Sequence, residues 1–257
     1  MAEFGAEKRV IVGADRSSVA EAVAARFVRR ARSLTAKKVV HVSLTGGSMG
    51  EAVLAGVARH PDRDSVDWSR VHFWWSDERF VPRHDADRNE KQARGALLDA
   101  LTLPPENIHA IVASDDNITA QQAAERYADE LNDFAGAQPW PAFDICFLGV
   151  GPDAHIASLF PDRPEISITD RAAVVVENSP KPPPTRVTLT RPVINSSERI
   201  WLVLAGADKA SALGLALAGA SYTGVPAAGA RGTRRTIFFV DRDAADQVPA
   251  ELIAREY

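Results

Sequence analysis

The sequence predicts an α/β fold, a largely parallel sheet with helices on both faces. Three observations carry this. Strand-like and helix-like stretches alternate for most of the 257 residues. The apolar run Phe143 to Leu148 ends abruptly at Gly149 and Gly151, as a buried strand does. The composition, 46% apolar and 25% charged, is that of an ordinary globular protein, and the length suits one large α/β domain spanning 1–257.

In chain order, Val10 to Val12 is a short apolar strand. Val19 to Leu34 has helical spacing, with Ala20, Val23, Ala24, Phe27 and Ala31 on one face and Ser17 or Ser18 as its cap. Val39 to Leu44 reads as a strand that leads through Thr45-Gly-Gly-Ser48 into a helix ending at Ala58. Val71 to Trp75 is a strand, and Asn89 to Leu101 and Thr119 to Phe134 are helices. Further strands are Phe143 to Leu148, Ala173 to Val176, Arg186 to Leu189, Ile200 to Leu204 and Thr236 to Val240, with a helix at Lys209 to Leu217. The Pro-rich Ser179 to Pro184 is an extended, shaped loop. Neither an internal repeat nor a domain boundary stands out.

Bulk properties narrow the function. The net charge of -4 argues against a general nucleic-acid binder while leaving room for a local basic pocket. The lone cysteine, Cys146, sits in an apolar strand pattern and reads as a small core residue, which fits a cytoplasmic setting. No apolar run is long enough to span a membrane, and residues 1–8 lack the apolar stretch of a signal peptide. The six histidines are scattered, so no metal site is expected. No Gly-x-Ser-x-Gly elbow is present, which argues against a serine hydrolase of the α/β-hydrolase type.

The candidate chemistry lies just after strands, where open α/β sheets bind ligands. His155 follows the Phe143 to Leu148 strand, with Asp153 two residues before it; a histidine there can act as a general base. Gly46, Gly47 and Ser48 sit between a strand and a helix, where free N–H groups favour an anion. Ser48 can also cap that helix. Asp77, Glu78 and Arg79 follow another strand, and Arg79 offers a planar fork for a carboxylate, phosphate or developing oxyanion. His84 reads as a solvated loop residue. Lys181, Arg186 and Lys209 supply more cations. Lys209 opens a helix, where its charge opposes the helix dipole unless an anion is near.

These pieces resemble the 6-phosphogluconolactonase family. The matching stretches are Leu44-Thr-Gly-Gly-Ser48, Ser76-Asp-Glu-Arg-Phe-Val-Pro82, Asp144 to Pro161, Ser179-Pro-Lys-Pro-Pro183 with Arg186-Val-Thr-Leu-Thr190, and Gly206-Ala-Asp-Lys-Ala210. They occur in the family's order over most of the chain. The resemblance implies a Rossmann-like three-layer α/β/α sandwich and hydrolysis of 6-phospho-D-glucono-1,5-lactone to 6-phospho-D-gluconate, without a cofactor. Its partner would be that phosphorylated sugar lactone, with neither nucleic acid nor membrane involved, on a monomer or small homo-oligomer. It implies that His155 activates water, that Asp153 orients it and that Arg79 stabilises the oxyanion. Gly46, Gly47, Ser48, Asp77, Lys181, Arg186 and Lys209 would bind the substrate, most of them at its phosphate.

Two positions depart from the family. Ala154 stands where the family has Gly, and a helical backbone is expected there. Arg88 stands where the family has Ser, and a solvated arginine is expected. Two other readings compete. A sugar-phosphate deaminase of the same fold needs an extra carboxylate, where this chain has Ala157-Ser-Leu-Phe160. A non-enzymatic sugar-phosphate sensor would keep the pocket without turnover.

Overall fold

The computed structural model describes residues 8–246, 248–249 and 252–254; the polar stretch at residues 1–7 lies outside them. In chain order the elements are β1 (Lys8–Gly13), α1 (Arg16–Thr35), β2 (Val40–Leu44), α2 (Gly47–Arg59), β3 (Val71–Trp75), β4 (Asp77–Arg79), α3 (Asn89–Ala96) and α4 (Ala120–Ala135). There follow β5 (Ile145–Gly149), β6 (Ala173–Val176), β7 (Arg186–Leu189), α5 (Arg191–Asn195), β8 (Arg199–Leu204), α6 (Ala210–Leu217) and β9 (Arg235–Asp241).

Six strands form one all-parallel sheet in the order β1-β9-β8-β5-β2-β3, and helices flank it. Its strands are nearly continuous runs of Val, Ile, Leu, Phe and Trp, as a sheet covered on both faces requires. Helix α1 lays Val19, Val23, Phe27, Ala31 and Leu34 against this sheet, an i, i+4, i+8 stripe. Gly56 lets α2 approach α1; a Cβ there would meet Ala24 Cβ at 3.0 Å. The strand order reverses between β2 and β5, so the loops that follow them flank a crevice at the carboxyl edge.

Several local expectations are corrected. Asp15, not Ser17 or Ser18, caps α1; its carboxylate accepts from Ser18 N, and Ser18 Oγ accepts from Asp15 N in return. The residue before α2 is Gly46, so Ser48 does not cap that helix. The helix expected through Leu101 stops at Ala96, and a 3₁₀ turn follows at Leu98–Ala100. Leu97 leaves the helical region, at φ -150°, and so ends α3. Ala173–Val176 and Arg186–Leu189 do not join the parallel sheet. They form a separate antiparallel sheet, β4-β7-β6, with the unpredicted strand β4. Only Ser76 separates β4 from β3, and its backbone bridges Leu44 and Leu189. Residues Asp77–Arg79 therefore leave the main sheet edge in an extended run rather than a loop.

Candidate active site

A cavity of about 230 Å³ opens at the carboxyl edge of the parallel sheet, and it gathers nearly every residue singled out in the sequence. Gly46, Gly47, Ser48, Asp77, Arg79, His155, Lys181, Arg186 and Lys209 all line it. Asp153 stands just behind His155.

The floor comes from the loops after β2 and β5. Thr45 Oγ1 accepts from Gly149 N at 3.1 Å and ties the two strand ends together. Gly47 has φ +80°, a backbone state that favours glycine. Gly46 is needed for close approach: a Cβ there would fall 1.8 Å from Asn89 Oδ1. Asn89 is buried, lines the cavity and donates to the Asp77 carbonyl at 2.9 Å.

His155 is held by a tight turn. Gly151 N donates to the His155 carbonyl at 3.0 Å, and Ala154 N donates to the Gly151 carbonyl at 2.9 Å. Ala154 has φ +66° and Ala157 has φ +50°. The helical backbone expected at Ala154 is therefore not what forms. The reversal needed to bring the His155 carbonyl back to Gly151 forces a left-handed residue, which costs an alanine about 1–2 kcal/mol. The imidazole Nδ1 lies 2.6 Å from Asp153 Oδ1, and Lys181 Nζ lies 3.2 Å from the same oxygen. Burial works to raise the Asp153 pKa. The hydrogen bond with His155 and the charges of His155 and Lys181 outweigh it, and the carboxyl ends well below the usual range. An ionised Asp153 accepts from Nδ1–H, which leaves Nε2 as the acceptor of the ring. Phe160 packs 4.6 Å from the imidazole centroid and limits its swing.

The charged run after β3 is not a surface cluster. Glu78 is 1% exposed and accepts backbone N–H groups of Arg79, Asn89 and Glu90 at 2.8, 2.7 and 2.8 Å. Burial pushes its carboxyl up to about 7, against those donors and the Arg88 guanidinium. Asp77 is committed to the scaffold as well: Oδ2 accepts from Ser158 Oγ at 2.7 Å and faces Arg186 Nη1 at 3.9 Å. Arg79 donates from Nη1 to the Asp87 carbonyl at 2.7 Å, and its Nε is buried without a hydrogen-bond partner among the described residues.

The cations divide into two kinds. Arg186 is buried, and its Nε and Nη2 donate to the carbonyls of Pro183, Lys181 and Pro182 at 2.9–3.1 Å, so it shapes the Pro-rich loop. Among the described residues Lys209 Nζ pairs only with the exposed Asp208, at 3.0 Å, and it lines the cavity together with Val203, Leu204 and Ala205. Arg16, in the first turn of α1, also lines the cavity and escaped the sequence reading. The signal that marked Lys209, a cation opposing a helix dipole at its N-terminus, applies equally to Arg16.

Arg88 corrects another expectation. It is fully buried, not solvated, because its guanidinium donates to Glu90 Oε2 at 2.9 and 3.0 Å and to the Ile111 carbonyl. It does not line the cavity. His84 is exposed. Cys146 is buried, and burial pushes its thiol up to about 12, so it stays an unreactive core thiol. Among the described residues no three His, Cys, Asp or Glu side chains gather as metal ligands would, and no helix is long and apolar enough to cross a membrane.

The chain is similar to known proteins along most of its length. The family of glucosamine-6-phosphate isomerases/6-phosphogluconolactonase matches residues 14–239. A 6-phosphogluconolactonase of Streptomyces coelicolor is 44% identical over 250 residues, covering 95% of this chain and 96% of that protein. One from Mycobacterium tuberculosis is 39% identical over 251 residues, covering 96% and 98%. Among solved structures, the 6-phosphogluconolactonase of Thermotoga maritima superposes with a TM-score of 0.79 at 27% identity, covering 91% of this chain and all of that one. A monomeric glucosamine-6-phosphate deaminase has a TM-score of 0.76 at 18% identity, covering 93% and 99%, a likeness of fold alone.

Proposed function

The chain belongs to the glucosamine-6-phosphate isomerase/6-phosphogluconolactonase family, and from that membership we propose that it hydrolyses 6-phospho-D-glucono-1,5-lactone to 6-phospho-D-gluconate, His155 activating the attacking water. The observation that carries the reading is the Asp153–His155 pair at 2.6 Å beside a cavity lined by Arg16, Arg79, Lys181, Arg186 and Lys209. Asp153 fixes the tautomer with Nδ1 protonated, so Nε2 can take a proton from water as its oxygen attacks the lactone carbonyl, C1. The ring oxygen leaves C1 as the tetrahedral intermediate collapses, and the imidazolium returns its proton to that oxygen. While the imidazolium exists, Asp153 and its field stabilise it.

Arg79 is the donor suited to the negative charge on the carbonyl oxygen, since its guanidinium-bearing side chain lines the cavity with His155. The phosphate fits the other end, where the N-terminus of α2 presents Gly46, Gly47 and Ser48 beside Lys209 and Arg16. Arg186 and Asp77 act through the scaffold, holding the 181–183 loop and Ser158, and Lys181 through Asp153. Deamination lacks support here, because Asp77 is already engaged by Ser158 and Arg186 and the relatives along nearly the whole chain are named lactonases. The same proposal includes a cytoplasmic setting and one functional unit over 1–257; one continuous apolar core joining both sheets supports the latter.

Kinetics on the single variants test the assignment. His155→Ala should lower kcat by about 10²–10⁴-fold with KM little changed, the range typical of general-base help. Lys209→Ala should chiefly raise KM. Near-normal turnover by folded His155→Ala would remove the histidine from the mechanism.

A further inference from the structure

We infer that Glu78 is a positioning residue for the reaction proposed above: its carboxylate closes residues 79–89 into a fixed loop and so holds the Arg79 guanidinium at the cavity. This role rests on the lactone-hydrolysis reading of the site.

Glu78 itself does not meet the substrate. It is buried and is not among the residues that line the cavity. Its oxygens turn to the backbone instead. Oε1 accepts from Arg79 N at 2.8 Å and from Asn89 N at 2.7 Å, and Oε2 accepts from Glu90 N at 2.8 Å. One oxygen thus joins the two ends of the loop. The same bonds cap helix α3. Its N-cap residue, Arg88, makes no side-chain capping bond, and Asn89 N and Glu90 N are the first two amides of the helix. Such amides have no partner within the helix and favour a carboxylate. Here the carboxylate comes from strand β4, so strand and helix are tied directly to each other.

The loop closed in this way carries part of the cavity wall. Arg79 Nη1 rests on the Asp87 carbonyl at 2.7 Å, inside the same loop. The closure therefore fixes both the backbone from which the Arg79 side chain springs and the carbonyl on which its guanidinium rests. The β4-β7 ladder also holds Arg79, opposite Arg186, but it does not extend to Asp87 or Asn89. At the far end of the loop, Asn89 lines the cavity and donates to the Asp77 carbonyl at 2.9 Å.

The role depends on reach rather than on charge. Glu78→Asp keeps the charge and withdraws the oxygens by about 1.5 Å, one carbon–carbon bond. Glu78→Gln keeps the shape. Its single carbonyl oxygen can stay on Arg79 N and Asn89 N while its amide turns toward Glu90 N.

Initial rates on freshly generated lactone, with spontaneous hydrolysis subtracted and a thermal melt of each variant, test the proposal. Glu78→Asp should lower kcat by about 10–10²-fold, since a misplacement of about 1 Å costs on the order of 10²-fold. Glu78→Gln should stay within about fivefold of wild type, the worth of one ordinary hydrogen bond. In an Arg79→Ala background, Glu78→Asp should lower kcat by less than about twofold, because the two residues act as one unit. A Glu78 that only stabilises the fold would lower the melting temperature in both variants and leave the kcat of folded enzyme alone. A Glu78 that acts by its charge would make Glu78→Gln the slower enzyme. Either result, or a full loss from Glu78→Asp in the Arg79→Ala background, would overturn the inference. Should Glu78→Asp not fold, amide hydrogen exchange on Glu78→Gln decides: kcat must track the protection of the Arg79 and Asn89 amides, and a change in one without the other overturns the role. Failure of the lactonase reading has a different signature, since the wild type itself would then not exceed the spontaneous rate.

Discussion

Gly151→Ala should separate catalysis from folding. A Cβ at Gly151 would stand 2.0 Å from His155 Nδ1, 2.2 Å from its Cε1 and 2.4 Å from Asp153 Oδ1. Ordinary contact begins near 3.4 Å, so the imidazole must retreat by about 1.4 Å. The atoms that must move are side-chain ends on the cavity wall, with His155 16% and Asp153 35% exposed, so the fold can yield at little cost. The stability change should stay below about 1 kcal/mol, as for substitutions that leave the core alone. Catalysis has no such freedom. The same methyl pushes on both partners of the 2.6 Å pair that fixes the tautomer and aims Nε2. A misplacement of about 1 Å costs on the order of 10²-fold in rate, and full loss of general-base help about 10²–10⁴-fold. We expect kcat to fall by about 10²–10³-fold with KM nearly unchanged. Initial rates on freshly generated lactone, with spontaneous hydrolysis subtracted, and a thermal melt of the same protein give both quantities. A folded Gly151→Ala enzyme with wild-type kcat would refute the reasoning that ring position controls the rate.

Three further outcomes are expected. Ala154→Gly relieves a left-handed alanine costing about 1–2 kcal/mol and adds about 0.5–1 kcal/mol of glycine backbone entropy, so its denaturant midpoint should rise slightly or stay level with kcat intact; a large destabilisation would contradict the strain. Arg88→Ser leaves Glu90 with Arg94 alone, at 2.9 Å, and unpairs the Ile111 carbonyl; it should cost about 1–3 kcal/mol in equilibrium unfolding while the folded enzyme keeps its kcat. His41 lies against Phe134 and accepts from Trp74 Nε1; burial first, then the neighbouring His72, hold its pKa down to about 3. Its folded pKa is below the unfolded 6.5, so its contribution is full above pH 6.5 and declines as the pH falls toward 3. Between about pH 6.5 and 5 the loss should be about 2 kcal/mol, and His41→Gln should flatten that part of the stability profile.

The candidate site was legible in the sequence wherever a charged or glycine-rich stretch directly follows an apolar run. There the strand end fixes position, and the residues cannot stray far from the sheet edge. His155, Asp153, Arg79, the Thr45 to Ser48 loop and Lys209 were all found this way. Arg16 escaped because β1 is short and the apolar spacing puts the helix start after Ser17 or Ser18, whereas α1 begins at Arg16 behind the Asp15 cap. The charges of Asp77 and Glu78 were visible, but not their burial, because their partners Ser158, Arg186 and the amides of Asn89 and Glu90 come from distant segments.

The sequence by itself determined the α/β class, the strand ends whose residues line the cavity and the likeness to a lactonase family. Those follow from short-range periodicity and from residue types at strand ends. Only the tertiary structure decided what each charge does. Packing committed Arg186 and Asp77 to the scaffold, buried Arg88 against Glu90, and left Lys209 and Arg79 facing the cavity. It also moved Ala154 into the left-handed region, because the turn that returns His155 to Gly151 is closed by hydrogen bonds rather than by local preference. Where partners lie far apart in the chain, as Asp77 and Ser158 do at 81 residues, the geometry that assigns these roles has no short-range signature.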